Sequence, residues 1–511
     1  MNKFLNKAKA AFVADGRFTP AMTAVLLAIL IAVNGIVYAL TNYFGLYLYS
    51  DDMSFMDLSA APDPLFEKME EENRKVEILF CMAEEDLKNH DTGAFVYYTA
   101  KQMAEKYDEV LSLEYMNLLT KRDSKGNNRS ALLEEYKSAL KEEYKTESGE
   151  VGFTLRDSSV VFTYTSVTGK QTYRVLTDNT SIGFSDFFML DSDGNAIAYC
   201  GEEILASMCV LTKAKTPKIA YFTQYHGEAA DISMATLLRN AGYNIRVLNL
   251  RDSSVPEDCD LLVISSPQTD FEKAAPGSGV RTEIDYLEEY ANNGGHILAI
   301  THSYLKNPLK NLDAFLASYG ISVIKEDGVT AIVRDGAASI PTDAYTLVAS
   351  YAEGTLGETV KKRVPERGGV VLTETAALKI SDEAKPLLLS SSSATLEADG
   401  KTVDSAGNYV LAAVADVSGG GDIVVIPSVY LTATDAMTSN TYSNRSFVYG
   451  LIETLYGGED LPYGCHMVNL MTDMLENLTA RAARIYTAVV FLIPTALAIG
   501  GFVFLRRRRN R

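Results

Sequence analysis

Two stretches without a single charged residue bracket most of this chain: Phe18 to Ser50 near one end and Ile485 to Leu505 near the other. The first contains AMTAVLLAILIAVNGIVYAL and the second reads IYTAVVFLIPTALAIGGFVFL. Each is long enough for the ~20 apolar residues with which a helix crosses a bilayer, and Pro494 and Gly500-Gly501 are tolerable inside lipid. Val37-Tyr38-Ala39 leaves open a cleaved secretory signal in place of the first span. Against that stand an apolar run longer than the ~7–15 residues of a signal core and an interfacial aromatic belt of Tyr38, Tyr43, Phe44, Tyr47 and Tyr49. Lys3, Lys7, Lys9 and Arg17 precede the first span and five arginines follow the second. The positive-inside rule then puts both termini in the cytoplasm and the body between the spans outside it. The expected product is a two-pass plasma-membrane protein with the bilayer as one partner.

Charge narrows what that body can bind. The two basic ends hold nine Lys and Arg and one Asp, so a chain of net charge −19 carries −27 between residues 18 and 505. An acidic body of this size disfavours nucleic acid and anionic lipid surfaces as partners. Cys81, Cys200, Cys209, Cys259 and Cys465 are scattered, odd in number and without a C-x-x-C pair, which indicates neither a zinc site nor a disulfide framework. They read as small buried hydrophobes.

The expected fold class is α/β. Residues 1–17 form a cytoplasmic tail, 18–50 the first span, and 51–184 a thioredoxin-like α/β unit: strand 75–83, helix 94–107, strand 110–118, helix 131–145 and two β-rich stretches. Thioredoxin chemistry needs a second thiol three residues after the first. Glu84 stands there after Cys81, so the unit lacks its redox centre. A connecting segment and helix (185–216) lead to residues 217–460, where KIAYFT, NIRVLNL, CDLLVISSP and GHILAIT alternate with helices. That alternation predicts a doubly wound, mostly parallel sheet of flavodoxin or amidotransferase type, with a β-rich insertion at about 320–420. A membrane-proximal helix (461–484), the second span (485–505) and a basic cytoplasmic tail (506–511) complete the chain.

The candidate site is the stretch YFTQYHGEAAD. Gln224, Tyr225, His226, Gly227 and Glu228 fall at the carboxyl end of the first strand of the doubly wound region, where such sheets bind ligands. His302 ends another strand and is a candidate neighbour. The plainer reading is a loop that caps a helix, with Glu228 and Asp231 at its N-terminus. No catalytic residue, metal site or cofactor is indicated. The only Gly-Lys pairs, at 169 and 400, lack the earlier glycine of a phosphate-binding loop, and Ser265, Ser266 and Ser303 lack the glycines of a nucleophile elbow.

The order of these pieces, namely the first span, the helix with Glu202-Glu203, KIAYFTQYHGEAAD, LLRNAGYNIRVLNL, PEDCDLLVISSPQTDF, YLEEYANNGGHILAIT and the last span, resembles the GldG-like auxiliary component of gliding-motility-type ABC transport systems. In that family the first turn usually reads Gly-His-Gly-Glu. Tyr225 stands here for the first glycine, and Ile426-Pro427-Ser428 stands where the closing strand more often continues Gly-Asp-Ser. The resemblance implies a non-enzymatic extracytoplasmic subunit beside a separate ABC permease and a separate cytoplasmic ATPase, with no established substrate. An envelope hydrolase or amidotransferase-like enzyme, or a surface scaffold, are the alternatives.

Overall fold

A computed structural model describes residues 63–143, 154–177, 183–191, 194–213, 217–228, 231–275, 277–303, 308–340, 343–364, 369–465 and 467–469. Both apolar stretches, both tails and 470–484 lie outside these residues. Among the described residues no helix is long and apolar enough to cross a membrane.

The chain is α/β and builds two principal sheets. The first is formed by β1 (Val76–Phe80), β2 (Leu111–Asn117), β3 (Val160–Thr165) and β4 (Gln171–Leu176) in the order β2-β1-β3-β4, with a two-residue ribbon on the outer edge of β2. β1 and β2 run parallel; β3 and β4 are antiparallel to their neighbours. Helix α1 (Asp63–Glu71) precedes the sheet, and α2 (Gly93–Lys106) makes the crossover from β1 to β2. Leu133, Tyr136 and Leu140 recur at helical spacing on α3 (Leu133–Glu143) and bury one stripe against Leu79, Met116, Val161 and Val175.

The opposite face is closed by α2 and by α4 (Cys200–Thr212). Eleven of the thirteen residues of α4 are buried, as expected of a helix covered on all sides. It packs on α2, β3 and β4 and also on the first helix of the second sheet region. The helix expected within the connecting segment is therefore part of the core. Cys200 and Cys209 sit at the two ends of α4, roughly 13 Å apart along the axis. All five cysteines are free thiols.

The second sheet has twelve strands among the described residues. Its main path uses β5 (Lys218–Thr223), β6 (Tyr243–Leu248), β7 (Leu261–Ser265), β8 (Ile297–Ile300), β9 (Asp343–Tyr351), β10 (Ala384–Leu389), β11 (Val410–Asp416) and β12 (Asp422–Ile426). Their order is β9-β10-β11-β12-β8-β7-β5-β6. Strands β6, β5, β7, β8 and β12 are mutually parallel, whereas β11, β10 and β9 continue the sheet antiparallel. A mostly parallel sheet was the expectation; the sheet is mixed. The β-rich insertion adds β9, β10 and β11 to this sheet, each antiparallel to its neighbour, and only β11 and β12 are joined by a tight hairpin.

Alternate residues of the parallel strands enter two cores. Leu261 and Val263 of β7 face α5 (Ile232–Asn240) and α9 (Asn444–Leu455). Leu262 and Ile264 face α6 (Glu283–Asn292) and α7 (Lys310–Ser318). Burial on both faces explains why these strands read as unbroken apolar runs. The chain passes from β5 outward to β6 and then back across to β7, so the strand order reverses beside β5. Such a switch point leaves a crevice at the carboxyl ends of β5 and β7.

Candidate functional site

The Gln224–Glu228 turn occupies that crevice. Gln224 N–H donates to Leu248 O at 3.0 Å and extends the β5–β6 ladder by one bond. Tyr225 follows with φ 82°, left-handed backbone that glycine adopts without strain. The residue is 62% exposed. His226 N–H donates to Glu228 Oε2 at 2.6 Å. The His226 carbonyl accepts the N–H groups of Gln268 (2.7 Å) and Thr269 (2.9 Å), which stitches the end of β5 to the loop after β7. Gly227 has φ 76°, and a Cβ there would stand 3.1 Å from Gln268 Cβ.

The His226 imidazole points inward. It is 0% exposed, stacks on Phe271 with ring centres 3.9 Å apart, and places Nε2 2.9 Å from Glu283 Oε1. A carboxylate at that distance calls for the proton on Nε2. Glu283 is the first residue of α6; its Oε2 accepts Glu272 N–H at 2.7 Å, and Arg251 Nε lies 3.7 Å from Oε1. Burial opposes ionisation of Glu283, but the bonds from His226 and Glu272 and the Arg251 charge outweigh it and hold the carboxyl below its ordinary value. His226 is thus a buried brace rather than a side chain presented to solvent.

Asp231 is the N-cap of α5, its Oδ1 accepting Met234 N–H at 2.9 Å. Its Oδ2 accepts Ser265 Oγ (2.9 Å) from the end of β7 and Thr432 Oγ1 (2.8 Å) from the turn after β12. Burial nevertheless pushes this carboxyl above its ordinary value. Glu228, beyond its bond to His226 N–H, accepts from Thr223 Oγ1 at 3.5 Å. His302 follows β8, two strands from β5 in the sheet, a backbone separation of about 10 Å. Burial depresses its pKa against the opposing charge of Glu374. Among the described residues no group of three or more His, Cys, Asp or Glu is arranged to hold a metal ion.

A second polar cluster was not legible as a site in the sequence. Glu202 on α4 is 1% exposed. It accepts Tyr449 OH at 2.6 Å and Arg445 Nη1 at 2.5 Å, both from α9. The next residue, Glu203, is 0% exposed and takes Arg174 Nη2 of β4 at 3.4 Å. Burial raises the Glu203 carboxyl to about 7. Adjacent glutamates on one helix therefore face the two sheet regions.

No family model matches the chain, and no curated protein matches it. Among solved structures, the mmIFT52 N-terminal domain is similar at 17% identity and a TM-score of 0.36, covering 48% of this chain and 99% of that one. PurLQS from Thermotoga maritima is similar at 13% identity and a TM-score of 0.28, covering 47% and 99%.

Proposed function

We propose that this chain is a non-enzymatic extracytoplasmic auxiliary subunit of an ABC-type transport system, binding a ligand or partner protein beside a separate permease and ATPase. On this reading residues 18–50 and 485–505 are its two membrane spans, the first sheet is a thioredoxin-like unit, and β6-β5-β7-β8-β12 form a flavodoxin-like 2-1-3-4-5 core. The reading rests on the sequence resemblance and the two charge-free stretches.

The observation that favours it over a hydrolase is the bonding of the switch point. Hydrolytic chemistry needs a serine or cysteine beside a base. Ser265 instead donates to the capping carboxylate of Asp231, and His226, whose Nε2 is taken by Glu283 and whose ring stacks on Phe271, has no serine or cysteine bonded to it among the described residues. Burial also raises the Cys81 thiol, at the end of the first strand, to about 12. Purification of the full chain in mild detergent tests the proposal. Recovery of a multispan permease and an ATPase with it is the expected result, and repeated isolation of the chain alone would overturn it.

A further inference from the structure

Helix α4 runs along the seam between the two sheet regions, packed on β3 and β4 of the first and on α5 of the second. Glu203 is fully buried there. Its Oε1 lies 3.4 Å from Arg174 Nη2 of β4, long for a hydrogen bond, and its Oε2 has no partner among the described residues. Ser207, one helical turn on, shares that face of α4; it is fully buried and its Oγ has no partner among these residues either. Asn240, the last residue of α5, is fully buried, and neither of its amide atoms has a hydrogen bond among the described residues. Just beyond it the chain closes on α4: a Cβ on Gly242 would stand 3.8 Å from Val210 Cγ2.

Polar atoms on both helices of this contact therefore lack hydrogen bonds, and a buried polar group left without one costs stability. For Glu203 the cost is greatest in the ionised form. The charged groups around it are Arg174 from β4, Arg239 from α5, Asp186 from the turn before α4 and Glu202 beside it. β3 has no charged residue, and Lys101, Glu105 and Lys106 of α2 are exposed. Tyr199, Cys200 and Tyr449 also feel its charge, but burial drives their own ionisation far above neutral pH. Burial raises the Glu203 carboxyl to about 7 against the pull of the two arginines, and Asp186 and Glu202 add to the rise.

We propose that Glu203 is a proton-operated latch on this seam: protonated, it lets α4 lie dry against β4 and α5; ionised, it draws the seam open until water reaches the carboxylate. Ser207 and Asn240 gain hydrogen bonds to water in the opened form, so the same event satisfies them too. In the opened seam a hydrated carboxyl keeps its ordinary value of 4.5, whereas in the closed seam it titrates at about 7. The closed form is therefore favoured in full below 4.5 and loses ground as pH rises to about 7. The latch goes beyond the auxiliary-subunit reading and holds with or without it.

Amide exchange of the full chain in detergent, read by mass spectrometry under conditions where it reports the opening equilibrium, tests the latch. Peptides from α4, β4 and α5 report the seam, and those from β7 and β8 serve as the reference. In wild type, opening of the seam relative to the reference is expected to rise roughly twentyfold between about pH 5.5 and 7.5. Glu203→Gln removes the titrating group, and a change of less than about twofold is expected. Arg174→Gln keeps that group and removes a charge that favours its ionised form, so the rise is expected to persist and to continue above about pH 7.5. Seam protection that tracks the reference at every pH in wild type, an undiminished rise in Glu203→Gln, or loss of the rise in Arg174→Gln would overturn the proposal. Should Glu203→Gln fail to fold, the wild-type and Arg174→Gln profiles decide it.

Discussion

Replacing Glu203 by glutamine removes a buried charge that the fold resists. Burial is the largest influence on this carboxyl; Arg174 of β4 and Arg239 of α5 pull its pKa down, Asp186 and Glu202 push it up, and the balance moves it from 4.5 to about 7. At about 1.4 kcal/mol per tenfold change in proton affinity, the ionised form costs the fold on the order of 3 kcal/mol. Below pH 4.5 the carboxyl is protonated whether the chain is folded or not, and no cost arises. Between 4.5 and about 7 only the unfolded chain ionises, so unfolding releases a proton and stability falls as pH rises. Above about 7 the whole cost is present. Asp231 and Asp422 are also raised by burial, so the informative quantity is the difference between wild type and Glu203→Gln. Urea unfolding followed by far-UV circular dichroism at pH 5, 6, 7 and 8 measures it. The glutamine keeps an amide oxygen for Arg174, and the variant is expected to gain progressively on wild type across this range. Parallel pH profiles, or a variant that loses ground as pH rises, would refute the assignment of the strain to Glu203.

Tyr225→Gly relieves the left-handed backbone at φ 82° and is expected to raise stability by roughly 0.5–1 kcal/mol, net of the greater freedom of the unfolded glycine; thermal melting reads it. Gly227→Ala introduces both a strained φ and a Cβ 3.1 Å from Gln268, and a loss of about 1–2 kcal/mol in the same assay is expected. His226→Ala leaves Glu283 buried without its ring partner and Phe271 without its stack, a loss of about 3 kcal/mol by urea unfolding. Asp460→Asn removes the shared partner of Lys68 (2.6 Å) and Arg74 (3.1 Å); faster amide exchange in residues 456–460, and a wild-type rate there that rises with salt, are the expected signatures.

Much of the layout follows from local pattern. LLVIS, ILAI and DIVVI are buried along their whole length, and central parallel strands are the elements that read as continuous apolar runs. Leu133, Tyr136 and Leu140 mark the buried stripe of α3 in the same local way. The mixed character of the second sheet was harder to see, because a strand such as VLAAVAD carries no mark of the direction of its neighbour. The site was less legible still. The turn around His226 stands out by composition, but its inward rotamer depends on Phe271 and on Glu283, 57 residues downstream. Glu283 reads locally as an acid in the first turn of a helix with a Thr282–Asp285 capping box, which gives no hint of its second use. Tyr225 is the converse case: an exposed aromatic on left-handed backbone, a conformation that nothing in the neighbouring composition announces.

A few buried charges couple the two sheet regions. α4 contributes adjacent glutamates, Glu203 to Arg174 of the first sheet and Glu202 to Arg445 of the second. Beyond α9, the Tyr456–Asp460 segment is gripped by residues distant in sequence: Lys68 and Arg74 hold Asp460, Lys213 donates to Glu459 O, and Lys218 donates to Tyr456 O. Asp460 is held below its ordinary pKa, Lys68 and Arg74 overcoming the opposing effect of burial. Movement of the Tyr456–Asp460 segment must therefore break ion pairs to α1 and to the turn after it, the first described elements of the chain. Charge reversal at Lys68 separates this grip from the one that follows it: Lys68→Glu should weaken the hold on Asp460 and leave the two Asn440 bonds to Met467 untouched.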